Sequence, residues 1–285
     1  MVREIGVVLK PGVPEAYDGL AAIRKISPDA VLLVEAEGHH AVAADTQGVT
    51  RVSARELAER AELVVVFGGD GTLIHAASLL GDRQVPILGV NLGRIGFLTD
   101  VSWEELEKGV GMALRGELPH SDRLRLDVSV ERNGERVFQK RVLNDAVLGP
   151  HGLLRIATYS ITLDGDLVTR VRGDGIIVST PTGSTAYGMS AGGSILWPEL
   201  EAIAVTPICP HQLNQRPLVI QPSGELRIAL TEGNAYMTCD GQAGFELSVD
   251  DVMVVTKAPV STRILVVPWR SYFEVLRTKL HWGNA

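Results

Sequence analysis

Residues 68–72 of the chain read Gly-Gly-Asp-Gly-Thr, directly after the apolar run Leu63–Phe67. Glycines on both sides of Asp70 allow the backbone to adopt positive φ and leave a bare main chain that a ligand can approach closely. The following helix, expected from about residue 72 to residue 80, would point its unpaired N–H groups at that ligand, which favours a phosphate. Asp70 is then a lone acid among phosphates, suited to handling a proton or a metal. The alternative is a tight strand–helix turn in which Asp70 is only the helix N-cap.

A second segment combines charged, glycine and hydroxyl residues. Residues 172–175 read Arg-Gly-Asp-Gly, and after a short apolar strand residues 179–187 read Ser-Thr-Pro-Thr-Gly-Ser-Thr-Ala-Tyr. Hydroxyl groups and exposed amides in an irregular turn suit the edges of a nucleobase, and Tyr187 can stack on a ring. Ser184 has no local base partner and is no candidate for a nucleophile. The alternative interpretation is a Ser/Thr-rich surface loop.

A third candidate is the polar pair Asn144-Asp145, which interrupts an apolar stretch. Adjacent side chains of a regular strand point to opposite faces, so one of the two must face inward or lie at a strand end. A polar group in that position is costly unless it is hydrogen-bonded. The pattern leaves ligand binding and a bend in the chain equally open.

The composition limits the class of protein. The chain has 285 residues, 45% of them hydrophobic and 21% charged, with a net charge of −7, which is typical of a globular protein. The negative charge argues against nucleic acid or an anionic membrane as the main partner. The start of the chain, Met1 to Glu4, does not read as a signal peptide, and Cys209 and Cys239 fit neither a zinc pattern nor a disulfide framework. We therefore expect a soluble, cytoplasmic protein.

Short apolar strands alternate with helical patterns in the first part of the chain. Ile5–Leu9, Val31–Val34 and Ile87–Val90 read as strands. Ser53-x-x-Glu56 and Ser102-x-x-Glu105 are capping boxes, each of which opens a helix. This alternation predicts an α/β domain with a parallel, Rossmann-like sheet, whose ligands bind at the carboxyl ends of the strands.

The pattern changes near residue 121 to short strands separated by turns. Residues 124–130 alternate between apolar and polar side chains, and Asn133-Gly134 is a strong hairpin signal. A final helix is capped by Ser271 and can pack back onto the first domain. The expected domains are an α/β domain at residues 1–120 plus about 268–285, and an all-β, sandwich-like domain at residues 121–267 that ends with a strand at Arg263–Val267.

Taken together, the three segments resemble the NAD kinases, which phosphorylate the 2′-hydroxyl of the adenosine ribose of NAD with ATP or polyphosphate. The elements at 68–71, 144–145 and 173–187 occur in the family's order, followed by residues 214–219 and Cys-Asp-Gly-Gln at 239–242. The resemblance covers residue 60 to the C-terminus, and the first 50 residues agree only in pattern. Gly-Gly-Asp-Gly-Thr also occurs in close form in lipid kinases and phosphofructokinases, whereas Thr-Pro-Thr-Gly-Ser-Thr-Ala-Tyr is specific.

The resemblance implies a role for each matching residue. Asp70 matches the proton acceptor. The residues implied to bind substrate or nucleotide are Gly69, Gly71 and Thr72 near the phosphates, His75, Phe97 as a lid on the base, Asn144 and Asp145 on the adenosine of NAD, Arg155, Arg172, Asp174 and Gln242 as polar contacts, and Thr182, Thr185, Ala186, Tyr187, Gly188, Met189 and Ser190 in the nucleotide pocket. Asp145 stands where glutamate is commoner, which shortens the reach by one methylene.

The implied ligands are NAD, NADP and ATP or polyphosphate, and the implied assembly is a homo-oligomer, either a dimer or a tetramer. Aspartate is a weak base, but phosphoryl transfer has a loose transition state in which orientation and electrostatics dominate. We expect a divalent metal, Mg²⁺, to arrive on the phosphoryl donor, because the sequence shows no dedicated cage for it. No residue is assigned as a metal ligand.

Two alternatives from other classes remain. A lipid kinase with the same glycine loop needs a membrane-facing surface, and the acidic composition argues against one. A non-catalytic NAD(P) sensor would bind dinucleotide without turnover, and Asp70 argues against that. The chain has no Walker A motif and no complete G-x-G-x-x-G, so a P-loop enzyme and an ordinary dinucleotide-dependent dehydrogenase are disfavoured.

Overall fold

The computed structural model describes residues 2–151 and 156–283. The chain forms two compact units, Met1–Asp122 with Thr262–Ala285, and Arg123–Ser261. The strands are β1 (Glu4–Leu9), β2 (Val31–Glu35), β3 (Thr50–Val52), β4 (Leu63–Phe67), β5 (Ile87–Asn91), β6 (Val101–Ser102), β7 (His120–Arg123), β8 (Leu126–Arg132), β9 (Glu135–Val142), β10 (Asp145–Pro150), β11 (Ala157–Leu163), β12 (Asp166–Gly173), β13 (Gly175–Ser179), β14 (Ile203–Ile208), β15 (Leu218–Ile220), β16 (Leu226–Glu232), β17 (Ala235–Cys239), β18 (Ala243–Leu247), β19 (Val252–Lys257) and β20 (Thr262–Leu265). The α-helices are α1 (Pro14–Ile26), α2 (Ala54–Arg60), α3 (Asp70–Leu79), α4 (Leu106–Leu114), α5 (Tyr187–Ser190) and α6 (Tyr272–Leu280).

The first unit is built on one sheet with the strand order β3-β2-β1-β4-β5-β20-β7, and β6 pairs with β5. The pairs from β3 to β5 are parallel, with Val65 of β4 between Val7 of β1 and Leu88 of β5. Every residue of β4 is buried, as expected of a strand covered by helices on both faces. The expected parallel sheet is confirmed.

Helices α1 and α4 pack on one face of this sheet. Leu20 of α1 and Val110 of α4 belong to the same apolar cluster as Val65 and Phe67. The capping box at Ser102 is present, but it opens a 3₁₀ turn at Trp103–Glu105 that leads into α4. Helix α2 begins after Ser53, as predicted, and the Ser53 hydroxyl accepts the N–H of Glu56 at 3.1 Å. The predicted capping box is only half formed, because the Glu56 carboxylate accepts a hydrogen bond from Arg60 at 2.7 Å instead of closing the box.

The C-terminal part of the chain belongs to the first unit. Helix α6 begins at the predicted Ser271 capping box. The strand expected at Arg263–Val267 does not belong to the β domain, because β20 pairs in parallel with β5 through Ile264 and Ile87. An isolated apolar run does not specify the sheet that it joins, so its sequence neighbours were a poor guide.

The second unit contains two antiparallel sheets, with the orders β15-β14-β13-β10-β17-β18 and β12-β11-β16-β19-β8-β9. Side chains from both sheets, such as Val178 and Met237 of the first and Tyr159 and Ile228 of the second, form one buried cluster. The expected sandwich-like β architecture is therefore confirmed. The predicted hairpin turn at Asn133-Gly134 has positive φ at both residues, 54° and 80°.

No described helix is both long enough and apolar enough to cross a membrane.

Candidate functional site

The Gly-Gly-Asp-Gly loop joins β4 to α3, and the helix begins earlier than predicted. Asp70 is the first residue of α3 and Gly69 is its N-cap, so the interpretation of Asp70 as an N-cap is wrong. The loop does not use the positive φ that its glycines allow, since Gly69 has a φ of −99° and neither Gly68 nor Gly71 is left-handed. A Cβ at Gly69 or Gly71 would meet no atom within 4 Å, so these glycines leave the N-terminus of α3 open.

The Asp70 carboxylate is held by the loop that follows β5. Its Oδ2 accepts the N–H of Phe97 at 2.9 Å, and its Oδ1 accepts the N–H of Leu98 at 3.0 Å and the hydroxyl of Thr99 at 3.1 Å. A carboxylate offers about four lone-pair positions, two on each oxygen. Oδ1 is saturated by these contacts, whereas Oδ2 can accept one more hydrogen bond.

Gly96 lies directly against Asp70. A Cβ on Gly96 would be 2.6 Å from Asp70 Cγ and 2.6 Å from Thr99 Oγ1, so no other residue fits without displacing the carboxylate. The next residue, Phe97, is half-buried, and its ring centroid lies 6.4 Å from that of Tyr272 at the start of α6. The loop therefore couples the placement of Phe97 to that of Asp70.

His75 lies one helical turn beyond Gly71 and takes part in a small polar cluster. Its Nε2 is 2.7 Å from Oε2 of Glu35, a carboxylate that is only 5% exposed at the end of β2. The His40 ring stacks on the His75 ring at 4.0 Å, and burial lowers the pKa of His40. Thr72, expected near the phosphates, is buried, and its hydroxyl is 2.5 Å from where a Cβ on Gly68 would lie.

In the second unit, Asn144 and Asp145 lie at a bend before β10 and at its first residue. Asp145 pairs with Ser179 of β13, and its side chain is 6% exposed. Asn144 Oδ1, Ser179 Oγ and Thr182 Oγ1 are buried and have no hydrogen-bond partner among the described residues. Each such group costs about 1–3 kcal/mol when it stays unpaired, and three of them in one place indicate a site that a polar ligand completes.

Asp145 is the most strongly perturbed carboxylate in this unit. Burial and the neighbouring Asp240 raise the pKa of Asp145 to about 7. Its carboxyl group therefore takes up or releases a proton near neutral pH. A carboxyl group with a displaced pKa beside unpaired polar groups is typical of a functional site.

The hydroxyl-rich run folds into two short helical turns. Gly183–Thr185 is a 3₁₀ turn, and Tyr187–Ser190 is helix α5. The interpretation as a surface loop is wrong, because Thr180, Thr182 and Ser184 are 0%, 7% and 2% exposed. Ser184 has a structural role: its hydroxyl donates to the carbonyl of Pro181 at 2.6 Å and accepts the N–H of Leu196 at 2.9 Å.

The remaining positions of this run differ in exposure. Tyr187 is half exposed, which leaves its ring available for stacking. Gly188 is buried, and a Cβ there would lie 3.6 Å from Ser179 Oγ. The other predicted pocket residues are accessible in part or in full: Thr185, Ala186, Met189 and Ser190.

The Gly-Asp-Gly element at 173–175 owes its glycines to packing between strands. A Cβ at Gly173 would lie 2.9 Å from the carbonyl oxygens of Ile208 and Cys209, and one at Gly175 would lie 3.1 Å from the carbonyl carbon of Leu148. Close packing against these carbonyl groups accounts for glycine at both positions, so the two glycines do not by themselves indicate a ligand.

The polar residues near this element stay candidates for binding. Asp174 is half-buried, and its charge adds to the effect of burial in raising the pKa of Tyr159 to about 12. Arg172 and Gln242 are exposed. Arg155 lies outside the described residues.

The predicted residues thus gather in two places, one in each unit. Gly69, Asp70, Gly71, Thr72 and His75 lie on α3 or at its start, with Phe97 hydrogen-bonded to Asp70. Asn144, Asp145 and Thr182 to Ser190 lie around the ends of β10 and β13 in the second unit. The sequence analysis missed Glu35 and His40 and gave no separate role to Asp240, because the contacts of these residues are with residues distant in the sequence.

Comparison with known proteins matches both parts of the chain to one family. The family model described as the ATP-NAD kinase N-terminal domain matches residues 29–117, and the C-terminal domain model matches residues 143–267. The NAD kinase of Geobacter metallireducens is 47% identical over 83% of this chain and 84% of its own length. That of Pseudomonas paraeruginosa is 38% identical over 99% and 97%.

Two solved structures share the fold. Yeast NADH kinase, complexed with NADH, has a TM-score of 0.89 at 24% identity and covers 100% of this chain and 89% of its own. An NAD kinase from Archaeoglobus fulgidus, in complex with ATP, has a TM-score of 0.76 at 25% identity and covers 98% of each chain.

The matched relatives are NAD kinases, so the chain is a phosphotransferase that acts on an alcohol group. The chain belongs to the NAD kinase family.

Proposed function

We propose that the protein transfers a phosphoryl group from ATP or polyphosphate to the 2′-hydroxyl of the adenosine ribose of NAD, which gives NADP, with Asp70 as the proton acceptor. The observation that carries the proposal is the Asp70 carboxylate, which three donors fix at the N-terminus of α3 while Oδ2 keeps one free acceptor position. The ATP complex of the Archaeoglobus fulgidus enzyme, which shares the fold, supports ATP as a donor.

In the proposed reaction the ribose oxygen attacks the terminal phosphorus of the donor. A bond forms between these atoms, the bond from phosphorus to the bridging oxygen breaks, and Asp70 Oδ2 accepts the hydroxyl proton. Because the transition state is loose, Asp70 contributes mainly by orienting the hydroxyl group. The open N-terminus of α3 stabilises the negative charge of the phosphates.

The second unit supplies the polar pocket that the adenosine end of NAD is proposed to occupy. Asn144, Ser179 and Thr182 each keep an unpaired buried oxygen there, and hydroxyl and amino groups of a nucleoside are suitable partners. Tyr187 offers a ring face for stacking. Hydrogen bonds between the nucleoside and these three buried oxygens would explain why the fold tolerates them without partners of its own.

Mg²⁺ is proposed to arrive on the donor phosphates and to keep several of its waters. Within residues 2–151 and 156–283, no group of three or more His, Cys, Asp or Glu residues could hold a metal ion. A dicarboxylate cage is not required when the donor oxygens coordinate the ion. Mg²⁺ would neutralise the donor's charge, and Asp70 keeps its role toward the hydroxyl.

The test is mass-resolved product analysis with NAD, Mg²⁺ and either ATP or polyphosphate, on the wild type and on Asp70→Asn. We expect NADP from the wild type and a kcat about 10²–10⁴ lower in the variant, with a smaller change in NAD affinity. Asp18→Asn, on the exposed side of α1, is the matched control and should keep full activity. An Asp70→Asn kcat within threefold of wild type would remove Asp70 from the mechanism, and dinucleotide binding without product would favour the sensor.

A further inference from the structure

Asp240 lies in the turn between β17 and β18 and hydrogen-bonds the main chain of residues 143–145. Its Oδ2 accepts the N–H of Leu143 at 2.8 Å, and its Oδ1 accepts those of Asn144 at 2.8 Å and Asp145 at 3.0 Å. The N–H of Asp240 donates in return to the carbonyl of Asp145 at 2.9 Å. One carboxylate therefore binds three successive N–H groups of the polar pair and its neighbour.

Thr180 holds the same segment through its carbonyl groups. The Thr180 hydroxyl donates to the carbonyl of Leu143 at 2.6 Å, and its N–H donates to the carbonyl of Asn144 at 2.9 Å. The segment is thus fixed through both its N–H groups and its carbonyl groups, although its first two residues, Leu143 and Asn144, form a bend outside any strand. Asp240 has a φ of 51°, a left-handed conformation that Asp and Asn adopt more readily than most residues.

We propose that Asp240 is a positioning residue for substrate binding, which fixes the main chain of Asn144 and Asp145 so that both side chains meet the dinucleotide in one orientation. The inference rests on the proposed function, because it takes the polar pair as the contact to NAD. Asp240 acts through this pair and needs no contact with the ligand itself.

The charge of Asp240 also raises the pKa of Asp145, although burial raises the pKa of Asp240 itself. Its three N–H donors oppose the effect of burial on its own pKa, whereas the Asp145 carboxylate has no hydrogen-bond partner within the described part of the chain. The other groups near the two acids are Lys140 of β9, which lowers the pKa of Asp240, and the Cys239 thiol of β17, whose pKa burial raises to about 12. Because burial and the Asp240 charge raise the pKa of Asp145 to about 7, kcat/KM for NAD should change near pH 7.

The decisive variants separate the charge of Asp240 from its geometry. Asp240→Asn keeps the shape and the left-handed backbone but places an NH₂ group against the N–H of Leu143. We expect KM for NAD to rise about tenfold and kcat to fall less. The inflection in the pH profile of kcat/KM should move to a pH about one unit lower, because the charge that raises the pKa of Asp145 is removed. Asp240→Glu keeps the charge but displaces it, so KM should rise while the inflection stays near pH 7.

Asp164→Asn is the matched control, because Asp164 is also left-handed and its carboxylate accepts one backbone N–H, from Glu225. It should keep the wild-type KM and pH profile. If Asp240→Asn unfolds, hydrogen exchange in Asp240→Glu still reports on the three hydrogen bonds that the N–H groups of residues 143–145 donate to position 240. We expect faster exchange at these amides in Asp240→Glu, and protection equal to that of the wild type would overturn the proposal. The proposal is also overturned if Asp240→Asn leaves both the KM for NAD and the inflection in the pH profile of kcat/KM unchanged.

Asp145→Asn distinguishes this inference from the proposed function. If that variant leaves KM for NAD and the pH profile unchanged, the polar pair does not bind the dinucleotide and the proposed binding site fails. If it alters both while Asp240→Asn alters neither, the proposed site stands and only the role of Asp240 is refuted.

Discussion

Replacing Gly96 with alanine tests whether the position of Asp70 controls catalysis. The new Cβ would lie 2.6 Å from Asp70 Cγ, whereas ordinary carbon–carbon contacts are 3.4 Å or longer, so the carboxylate must move by about 1 Å. That movement weakens the contacts to Leu98 and Thr99, which now measure 3.0 and 3.1 Å. A misplacement of about 1 Å costs about 10²-fold in rate, so we expect kcat to fall by about two orders of magnitude.

Gly93→Ala is the control for this prediction, since it makes the same change three residues earlier in the loop. The nearest atom to its added Cβ is Asn91 Oδ1 at 3.8 Å, and the φ of Gly93 is not positive, so alanine fits. Steady-state kinetics of NADP formation give kcat and KM for both variants, and thermal unfolding confirms that each is folded. A folded Gly96→Ala enzyme with kcat within threefold of wild type would refute the reasoning, as would equal losses in the two variants.

Two further predictions concern stability. The pKa of Asp145 is raised to about 7 from 3.8, so the folded protein holds a proton that the unfolded chain releases, and stability should fall by up to about 4 kcal/mol as pH rises between these values. Asp145→Asn should lack this decline in urea unfolding at pH 5 and pH 8, and an identical pH dependence in both proteins would contradict it. His75→Ala removes the hydrogen-bond partner of the buried Glu35 and should cost about 1–3 kcal/mol. Adding Glu35→Gln should restore part of that loss, and a double variant less stable than His75→Ala would count against the pairing.

The sequence predicts those features of the site that depend on neighbours in the chain. The apolar run Leu63–Phe67 followed by glycines places Asp70 at the end of a buried parallel strand. Serine and glutamate three residues apart predict the start of α2 and α6, because the bond from the glutamate N–H to the serine hydroxyl is local; of these two helices, only α6 has the full capping box. Turn chemistry likewise predicts the hairpin at Asn133-Gly134.

Contacts between distant residues could not be predicted in this way. Asp240 and Asn144 are 96 positions apart, and nothing near either residue indicates that they are hydrogen-bonded. The need for glycine at position 96 arises from Asp70, and Glu35 is matched to His75 across 40 positions. Strand β14, at Ile203–Ile208, was also missed.

The order of the two units along the chain has a consequence for biosynthesis. The main chain leaves the first unit at Asp122 and re-enters it at Thr262, so strand β20, which lies between β5 and β7, is translated after the whole second unit. The first unit therefore lacks an interior strand until the whole second unit has been translated. Once β20 has been inserted, Arg263 donates two hydrogen bonds, of 3.0 and 3.1 Å, to Asp122. These bonds link the point where the chain leaves the first unit to the point where it re-enters it.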